Sequence, residues 1–183
     1  LRQIAPLEDH FSLLLLPLGA VYKFLPSTFS LIGLQSIALG SLPAVVAHLA
    51  VKRQIKIRLV WALICAIILC PYSFLVNRGD FHPDVLTIPF MVVAIFEATQ
   101  RRRWRYYLFL LITLFAKNAQ ALFGFGLGLY AISRRRYTRG LISIVISIFW
   151  WFLATHLSAA GGDHVAIRLG YLGNTKLEML ATL

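Results

Sequence analysis

Two carboxylates and one imidazole alternate along a short polar stretch of the sequence, at Asp80, His82 and Asp84. Carboxylate oxygens and imidazole nitrogens bind divalent cations such as Mg²⁺ and Mn²⁺, and the same groups take up and release protons. We therefore treat these three residues as catalytic candidates and as candidate ligands of a divalent cation. The pattern also fits a structural role, in which Asp84 caps a helix and His82 forms a hydrogen bond at a membrane interface.

A single cation, Lys117, interrupts the long apolar stretch of residues 106–133. A charged side chain at the centre of a bilayer costs about 2.5 to 3.5 kcal/mol on insertion scales, and it usually faces a cavity or a partner. A phosphate-bearing ligand would be such a partner, which makes Lys117 a candidate substrate-binding residue. The alternative is that Lys117 lies at the tip of a helical hairpin and extends its ammonium group to the membrane surface.

The other candidates lie near the two ends of the sequence. Asp9 is a candidate catalytic base, and the substrate-binding candidates besides Lys117 are His10, His164 and Arg168. Singly, each of these is more often an ordinary loop residue. Several such groups on one small surface indicate a binding or catalytic site.

The elements that must position these residues are predicted to be transmembrane helices. Of the 183 residues, 59% are hydrophobic and 14% are charged, whereas a typical soluble domain has about 25% charged residues. The apolar residues lie in blocks close to the ~20 residues that a helix needs to cross about 30 Å of hydrocarbon. The predicted fold class is all-α, a polytopic transmembrane helix bundle with about six membrane-embedded helices in one domain covering residues 1–183.

The apolar blocks divide the chain into predicted segments. We predict ordinary spans at residues 29–51, 59–76, 84–98 and 140–157, an outer-side interfacial helix within residues 1–26, and an outer-side tail at residues 158–183. Residues 106–133 are too long for one span and short for two. They therefore predict a central hairpin of two short helices that bends at Lys117. The glycines at 124, 126 and 128 indicate close helix packing rather than a nucleotide-binding loop.

Basic residues are concentrated between the predicted spans. Twelve of the 18 Lys and Arg residues lie in three loops, as Lys52, Arg53, Lys56, Arg58, Arg101, Arg102, Arg103, Arg105, Arg134, Arg135, Arg136 and Arg139. Because cytoplasmic loops carry an excess of Lys and Arg, we place these loops in the cytoplasm. We interpret the basic runs as orientation anchors that also contact anionic lipids, and His48 as structural. Basic residues spread in this way do not indicate a nucleic-acid partner.

Several short motifs carry a family resemblance. They are Asp9-His10-Phe11-Ser12, Pro26, Phe81-His82-Pro83-Asp84, Arg102-Arg103-Trp104-Arg105, Lys117, Gly126-Leu127-Gly128-Leu129-Tyr130 and Gly170-Tyr171-Leu172-Gly173. In this order they resemble a family of uncharacterised prokaryotic multi-spanning proteins, domain of unknown function 2079, over nearly the whole chain. That family looks like the GT-C glycosyltransferases. In the family, acidic residues follow the lysine, where this chain has Asn118 and Ala119. The resemblance also implies a segment of a longer protein, because the family's first span and outer loop would precede Leu1.

The resemblance implies a glycosyltransferase that takes a sugar from a polyprenyl-phosphate carrier on the outer side of the membrane. The membrane would then be a prokaryotic inner membrane or another internal membrane. Lys117 and Arg168 would then face the donor phosphate, the candidates at positions 80, 82 and 84 would bind a divalent cation, and Asp9 would be the base on the acceptor hydroxyl. One alternative is a non-catalytic subunit or scaffold whose partners are other membrane subunits. Another is a transporter or flippase with Lys117 along the substrate path. In each case membrane lipids are partners.

Overall fold

The chain is α-helical wherever its structure is described. The computed structural model describes residues 12–78, 81–100 and 103–157, so the predicted outer-side tail lies outside the described residues. Within these ranges there are eight α-helices, one 3₁₀ helix and no strand. The helices are α1 (Leu15–Phe24), α2 (Thr28–Lys52), α3 (Ile57–Ile68), α4 (Pro71–Arg78), the 3₁₀ helix (Pro83–Thr87), α5 (Ile88–Glu97), α6 (Arg103–Leu114), α7 (Gln120–Ser133) and α8 (Tyr137–Leu157).

Two of these helices, α2 and α8, are long and apolar enough to cross a membrane. Their 25 and 21 residues extend about 37 and 31 Å at ~1.5 Å per residue. They correspond to the predicted spans at residues 29–51 and 140–157. Helices α1, α3 and α7 are apolar but shorter than an ordinary crossing, so a bundle of six crossing helices stays a prediction.

Two predicted spans are divided by proline. The span predicted at residues 59–76 was wrong as a single helix, because it consists of α3 and α4 with Pro71 as the first residue of α4. Proline has no N–H to continue the hydrogen bonds of the preceding helix. The span predicted at residues 84–98 begins as the 3₁₀ helix and becomes α-helical only at Ile88. Pro89 cannot donate to the carbonyl of residue 85, which prevents a regular α-helical turn there.

Two helices end in the same kind of turn without glycine. Gln54 follows α2 with a φ of 54° and Arg135 follows α7 with a φ of 58°, both in the left-handed region. In each turn the next amide donates back to the helix, at 3.1 Å from Ile55 N to the Ala50 carbonyl and 2.9 Å from Arg136 N to the residue 131 carbonyl. This geometry satisfies the last carbonyls of the helix and reverses the chain.

The predicted hairpin at residues 106–133 is confirmed as two helices, since α6 ends at Leu114, α7 begins at Gln120, and Lys117 lies in the turn between them. Helix α7 then packs closely against α8. A methyl group on Gly128 would lie 2.9 Å from the carbonyl oxygen of Gly140. Gly124 is likewise packed against α8, whereas a methyl on Gly126 would meet no atom within 4 Å. The packing prediction is therefore confirmed for two of the three glycines.

Helix α6 connects the two halves of the bundle. Phe90 of α5 stacks on Phe109 of α6 with ring centroids 6.1 Å apart, and α2 packs against α3 and α5. On its other side α6 contacts α8. The ring of Phe115, the residue after α6, lies 5.2 Å from the ring of Trp150 in α8. The apolar core lies around α6 and includes Leu110.

Side chains are distributed as expected for a protein surrounded by lipid. Large apolar side chains such as Trp61 and Phe149 are more than 60% exposed, while Gln35, Thr113 and Ser143 are fully buried. In lipid, moving an apolar side chain from the surface to the interior brings no gain in free energy. Polar side chains lie between helices, where they form hydrogen bonds. The fold therefore supports membrane embedding beyond the two long helices.

Candidate functional site

The three basic turns meet at one end of the bundle, which we call the basic end (residues 53–56, 98–100 and 134–136). Arg53 Nη2 donates to Thr99 Oγ1 and, at 3.4 Å, to the carbonyl of Phe96. Arg136 Nη2 lies 3.5 Å from the carbonyl of Thr99. The turns at residues 53–56 and 134–136 therefore both contact the end of α5 and the segment that follows it. Their cytoplasmic location stays a prediction.

Arg139 makes the most extensive of these contacts. Its Nη1 donates to the carbonyls of Glu97 at 2.8 Å and Ala98 at 2.6 Å, and its Nη2 donates to the carbonyl of Gln100 at 2.8 Å. The side chain is 5% exposed, and its guanidinium lies 5.3 Å from the centre of the Tyr106 ring. A cation here complements the unpaired carbonyls and partial negative charge at the end of a helix.

The sequence predicted Arg139 to be an orientation anchor, and this contact was not foreseen. Tyr106 Oη lies 2.7 Å from Ser143 Oγ, and Ser143 Oγ donates at 2.8 Å to the carbonyl of Arg139. The signal that could have revealed it is the four-residue spacing of Arg139, Ser143 and Ser147, which places a basic and two small polar residues on one face of α8.

We call the opposite end of the bundle the Lys117 end (residues 76, 82–87 and 115–119). Two pairs of hydrogen bonds hold it together. The carbonyl of Phe115 accepts from Ser12 Oγ at 3.3 Å and from Leu14 N at 3.0 Å. The amide of Gln35 donates to the carbonyl of Val76 at 3.1 Å and its Oε1 accepts from His82 N at 2.8 Å. The hairpin turn is thereby tied to the start of α1, and both sides of the loop after α4 are tied to α2.

Both pairs of hydrogen bonds lie well inside the ends of the two long helices. Phe115 is level with Trp150, and α8 continues from Trp150 to Leu157, about 10 Å further at ~1.5 Å per residue. His82 is level with Gln35. Gln35 in turn lies about 10 Å along α2 from the first residue of that helix. The hairpin turn and the 3₁₀ helix therefore lie about 10 Å inside the ends of α8 and α2, measured along the helices.

Lys117 lies in the hairpin turn and is half-buried. Its carbonyl accepts from Gln120 N at 3.1 Å, and Asn118 Oδ1 accepts from Ala119 N at 2.8 Å, which shapes the turn into α7. Within the described ranges its ammonium group has neither a hydrogen bond nor an ion pair. The Lys117 ammonium is therefore available to bind an anion.

His82 and Asp84 lie at the same end. The 3₁₀ helix that begins after His82 packs against α2, α5 and α6. The His82 side chain is exposed and Asp84 is half-buried, and neither side chain has a partner in the part of the chain that the structure describes. Asp84 lies in the first turn of the 3₁₀ helix, as its structural role requires, but no side chain caps that helix by a hydrogen bond. The Asp84 carbonyl accepts from Thr87 Oγ1 at 2.7 Å.

The structure brings these candidates to one end but not into mutual contact. Among the described residues, no hydrogen bond or ion pair joins Lys117 to His82 or Asp84. The other predicted site residues lie outside the described residues, namely Asp9, His10, Asp80, His164 and Arg168. The described chain contains no group of three or more metal-ligating side chains. His82 and Asp84 offer one imidazole and one carboxylate, which fit part of a divalent-cation site.

Comparison with known families is informative for most of the chain. A family model described as a predicted membrane protein (DUF2079) matches residues 1–166. The chain belongs to this family. This confirms the resemblance that the motif order indicated, and it agrees with the two long apolar helices. The matched residues of this DUF2079 member include Asp9, Lys117 and His164, whereas Arg168 lies beyond them. No curated protein and no solved structure matches the chain, and the further likeness to GT-C glycosyltransferases stays a prediction.

Proposed function

We propose that this membrane protein transfers a sugar from a polyprenyl-phosphate carrier to an acceptor hydroxyl at the Lys117 end. The observation that carries the proposal is the position of Lys117. Lys117 is half-buried in the hairpin turn, about 10 Å inside the end of α8 along the helix, and its ammonium has no acidic partner among the described residues. A cation at that depth is costly unless an anion accompanies it. The phosphate of a lipid carrier would be that anion.

The apolar surroundings support a lipid-linked donor over a soluble one. Helix α1 starts where Leu14 bonds the carbonyl of Phe115, two residues before Lys117, and its residues Leu16 and Phe24 are exposed by 64% and 82%. These side chains provide an apolar surface along which a polyprenyl chain could lie. A phosphate attached to that chain would then reach Lys117 from the lipid without first leaving the membrane.

The proposed reaction is a displacement at the anomeric carbon of the sugar. Asp9 takes the proton of the acceptor hydroxyl, the hydroxyl oxygen bonds to the anomeric carbon, and the bond from that carbon to the phosphate oxygen breaks. The polyprenyl phosphate leaves with the electron pair, and Lys117 and Arg168 stabilise its negative charge. His82 and Asp84, with Asp80, would hold a divalent cation, which when bound neutralises charge on the donor phosphate.

Donor binding tests the proposal directly. A radiolabelled polyprenyl-phosphate sugar is bound to the purified chain in detergent, with and without Mg²⁺ or Mn²⁺, and compared with Lys117→Ala and Lys117→Arg. We expect Lys117→Ala to weaken binding at least tenfold, a loss of about 1.4 kcal/mol, and Lys117→Arg to retain most of it. Lys56→Ala, which removes a cation at the basic end, is the matched control. Unchanged binding in Lys117→Ala would contradict the proposal.

A second candidate function is a non-catalytic subunit of a membrane complex. The observation that favours it is helix α3, which packs against α2 while Trp61, Leu63 and Ile68 remain exposed. Such a face would suit a helix of another subunit as well as lipid. Purification of a full-length homologue in a stoichiometric complex, with no donor binding and no sugar transfer, would establish this function in place of the transferase.

A further inference from the structure

A cavity of about 550 Å³ opens between α2, α5 and α6 near the basic end. Its polar lining residues all lie close to that end. His48 and Lys52 are in the last turns of α2, Glu97 is the last residue of α5, and Trp104 and Arg105 are in the first turn of α6. None of these residues belongs to the proposed sugar-transfer site, which is at the other end of the bundle.

The rest of the lining is apolar and extends away from the basic end. Ala44 lies two turns before Lys52, about 12 Å along α2, and Phe109 lies about 6 Å beyond Arg105 along α6. Val93 of α5 lines the same part of the cavity. The cavity therefore has a basic mouth and an apolar interior, arranged along the direction in which the long helices cross the membrane.

We propose that this cavity binds one anionic glycerophospholipid from the leaflet at the basic end. The phosphate group would lie at Lys52 and Arg105, and an acyl chain would fill the apolar part beside Ala44 and Phe109. A phospholipid has the same order of groups along its length as the cavity lining. The volume is also within the ~300 to 1,000 Å³ typical of ligand pockets.

The charges at the mouth favour an anionic headgroup. Within the described ranges, the Lys52 ammonium has no hydrogen bond or ion pair, and Arg105 contacts the ring of Trp104 with its guanidinium 5.6 Å from the ring centre. Glu97 is the acid in the lining, so the two permanent cations outnumber it. Trp104 is 62% exposed, and tryptophan is enriched at the level of lipid headgroups.

A neighbouring cavity of about 310 Å³ on the other side of α2 is smaller, and its two cations are Arg53 and Arg134. Arg53 lines it, but its guanidinium already donates to Thr99 and to the carbonyl of Phe96. A soluble phosphate is also a poorer occupant of the larger cavity, because it would leave the apolar part beside Ala44 and Phe109 unfilled.

Native mass spectrometry of the purified chain tests this inference. Detergent-released protein is titrated with phosphatidylglycerol or with phosphatidylcholine of the same acyl chains, and the fraction carrying one lipid is measured. We expect one phosphatidylglycerol per chain at concentrations where phosphatidylcholine does not bind. Inorganic phosphate should neither bind nor compete. Because the site is at the opposite end from Lys117, Lys117→Ala should leave this binding unchanged, which separates it from the proposed sugar transfer.

Variants locate the lipid in the cavity. The double variant Lys52→Ala/Arg105→Ala should weaken phosphatidylglycerol binding at least tenfold, since a basic residue near an anionic lipid contributes about 1 kcal/mol. Lys56→Ala/Arg103→Ala removes two exposed cations from the same turns outside the cavity and should change binding less than twofold. Ala44→Phe, which fills the apolar part without altering charge, should also weaken binding tenfold or more.

Three results would overturn the inference. Equal binding of phosphatidylglycerol and phosphatidylcholine would show that the cavity does not recognise an anionic headgroup. Equal losses in the two double variants would assign the binding to general attraction by the basic end. Unchanged binding in Ala44→Phe, with an unchanged helical circular dichroism spectrum, would place the acyl chain elsewhere.

Discussion

The guanidinium of Arg139 donates a 2.8 Å hydrogen bond to the backbone carbonyl of Glu97, the last residue of α5. This contact joins the first turn of α8 to the end of a helix from the other half of the bundle. Because Arg139 also bonds the carbonyls of Ala98 and Gln100, one side chain binds three carbonyls at the end of α5 and in the turn that follows it.

Replacing Arg139 should therefore destabilise the whole bundle. We expect Arg139→Ala to lower the free energy of unfolding by about 3 kcal/mol, since hydrogen bonds to charged groups contribute about 1.5 to 3 kcal/mol. Arg139→Lys should recover part of this, because lysine lacks the planar pair of donors. Unfolding by sodium dodecyl sulfate in mixed micelles, followed by circular dichroism, measures the effect. Arg136→Ala, an exposed control with one 3.5 Å contact, should change stability by about 0.5 kcal/mol or less.

The close approach of α7 to α8 depends on Gly128. In Gly128→Ala the new methyl would lie 2.9 Å from the carbonyl oxygen of Gly140 and 2.7 Å from a side-chain carbon of Ile144, so the helices must separate. We expect a loss of about 2 kcal/mol in the same unfolding assay. Gly126→Ala meets no atom within 4 Å and should be neutral or stabilise by about 0.5 to 1 kcal/mol through helix propensity. Equal effects of the two substitutions would contradict the packing described.

Gln35 determines how firmly the loop after α4 is held. Gln35→Leu leaves the Val76 carbonyl and the His82 amide without their partner, at a local cost of about 1 to 3 kcal/mol. We expect faster amide hydrogen exchange in the peptide covering residues 76–84, with little change in α8. Ser41→Ala, which removes a hydroxyl bonded only within α2, is the control. Exchange as slow as in the wild type would mean that Gln35 does not hold this loop.

The topology can be tested by cysteine accessibility. Single cysteines at position 117 and at position 56 or 134, in a chain whose Cys65 and Cys70 are replaced by serine or alanine, are labelled in intact cells with a membrane-impermeant maleimide. We expect Lys117→Cys to be labelled from outside, and Lys56→Cys and Arg134→Cys only after the membrane is permeabilised. The predicted topology places the hairpin turn and the basic loops on opposite sides of the membrane. Labelling of all three cysteines from the same side would exclude it.

Much of the helical architecture is predictable because lipid restricts what a chain can do. Runs of apolar residues long enough to cross hydrocarbon must become helices, which is why α2 and α8 appear where the sequence places spans. The polar interruption at Lys117 likewise predicts the hairpin turn. The effects of Pro71 and Pro89 were not foreseen, and these residues divide two predicted spans because proline cannot donate the hydrogen bonds that would continue a helix.

The sequence alone determined the class of protein, the sites of the two long helices, the hairpin and the concentration of basic residues in three loops. These follow from composition and periodicity, which act locally along the chain. Only the tertiary structure decided that Arg139 is a buried cap rather than a surface anchor, that the Lys117 turn lies inside the end of α8 along the helix, and that Lys52 and Arg105 face one apolar cavity. Each of these depends on contacts between helices far apart in sequence, and residue spacing within one helix carries no information about which partner helix its face will meet.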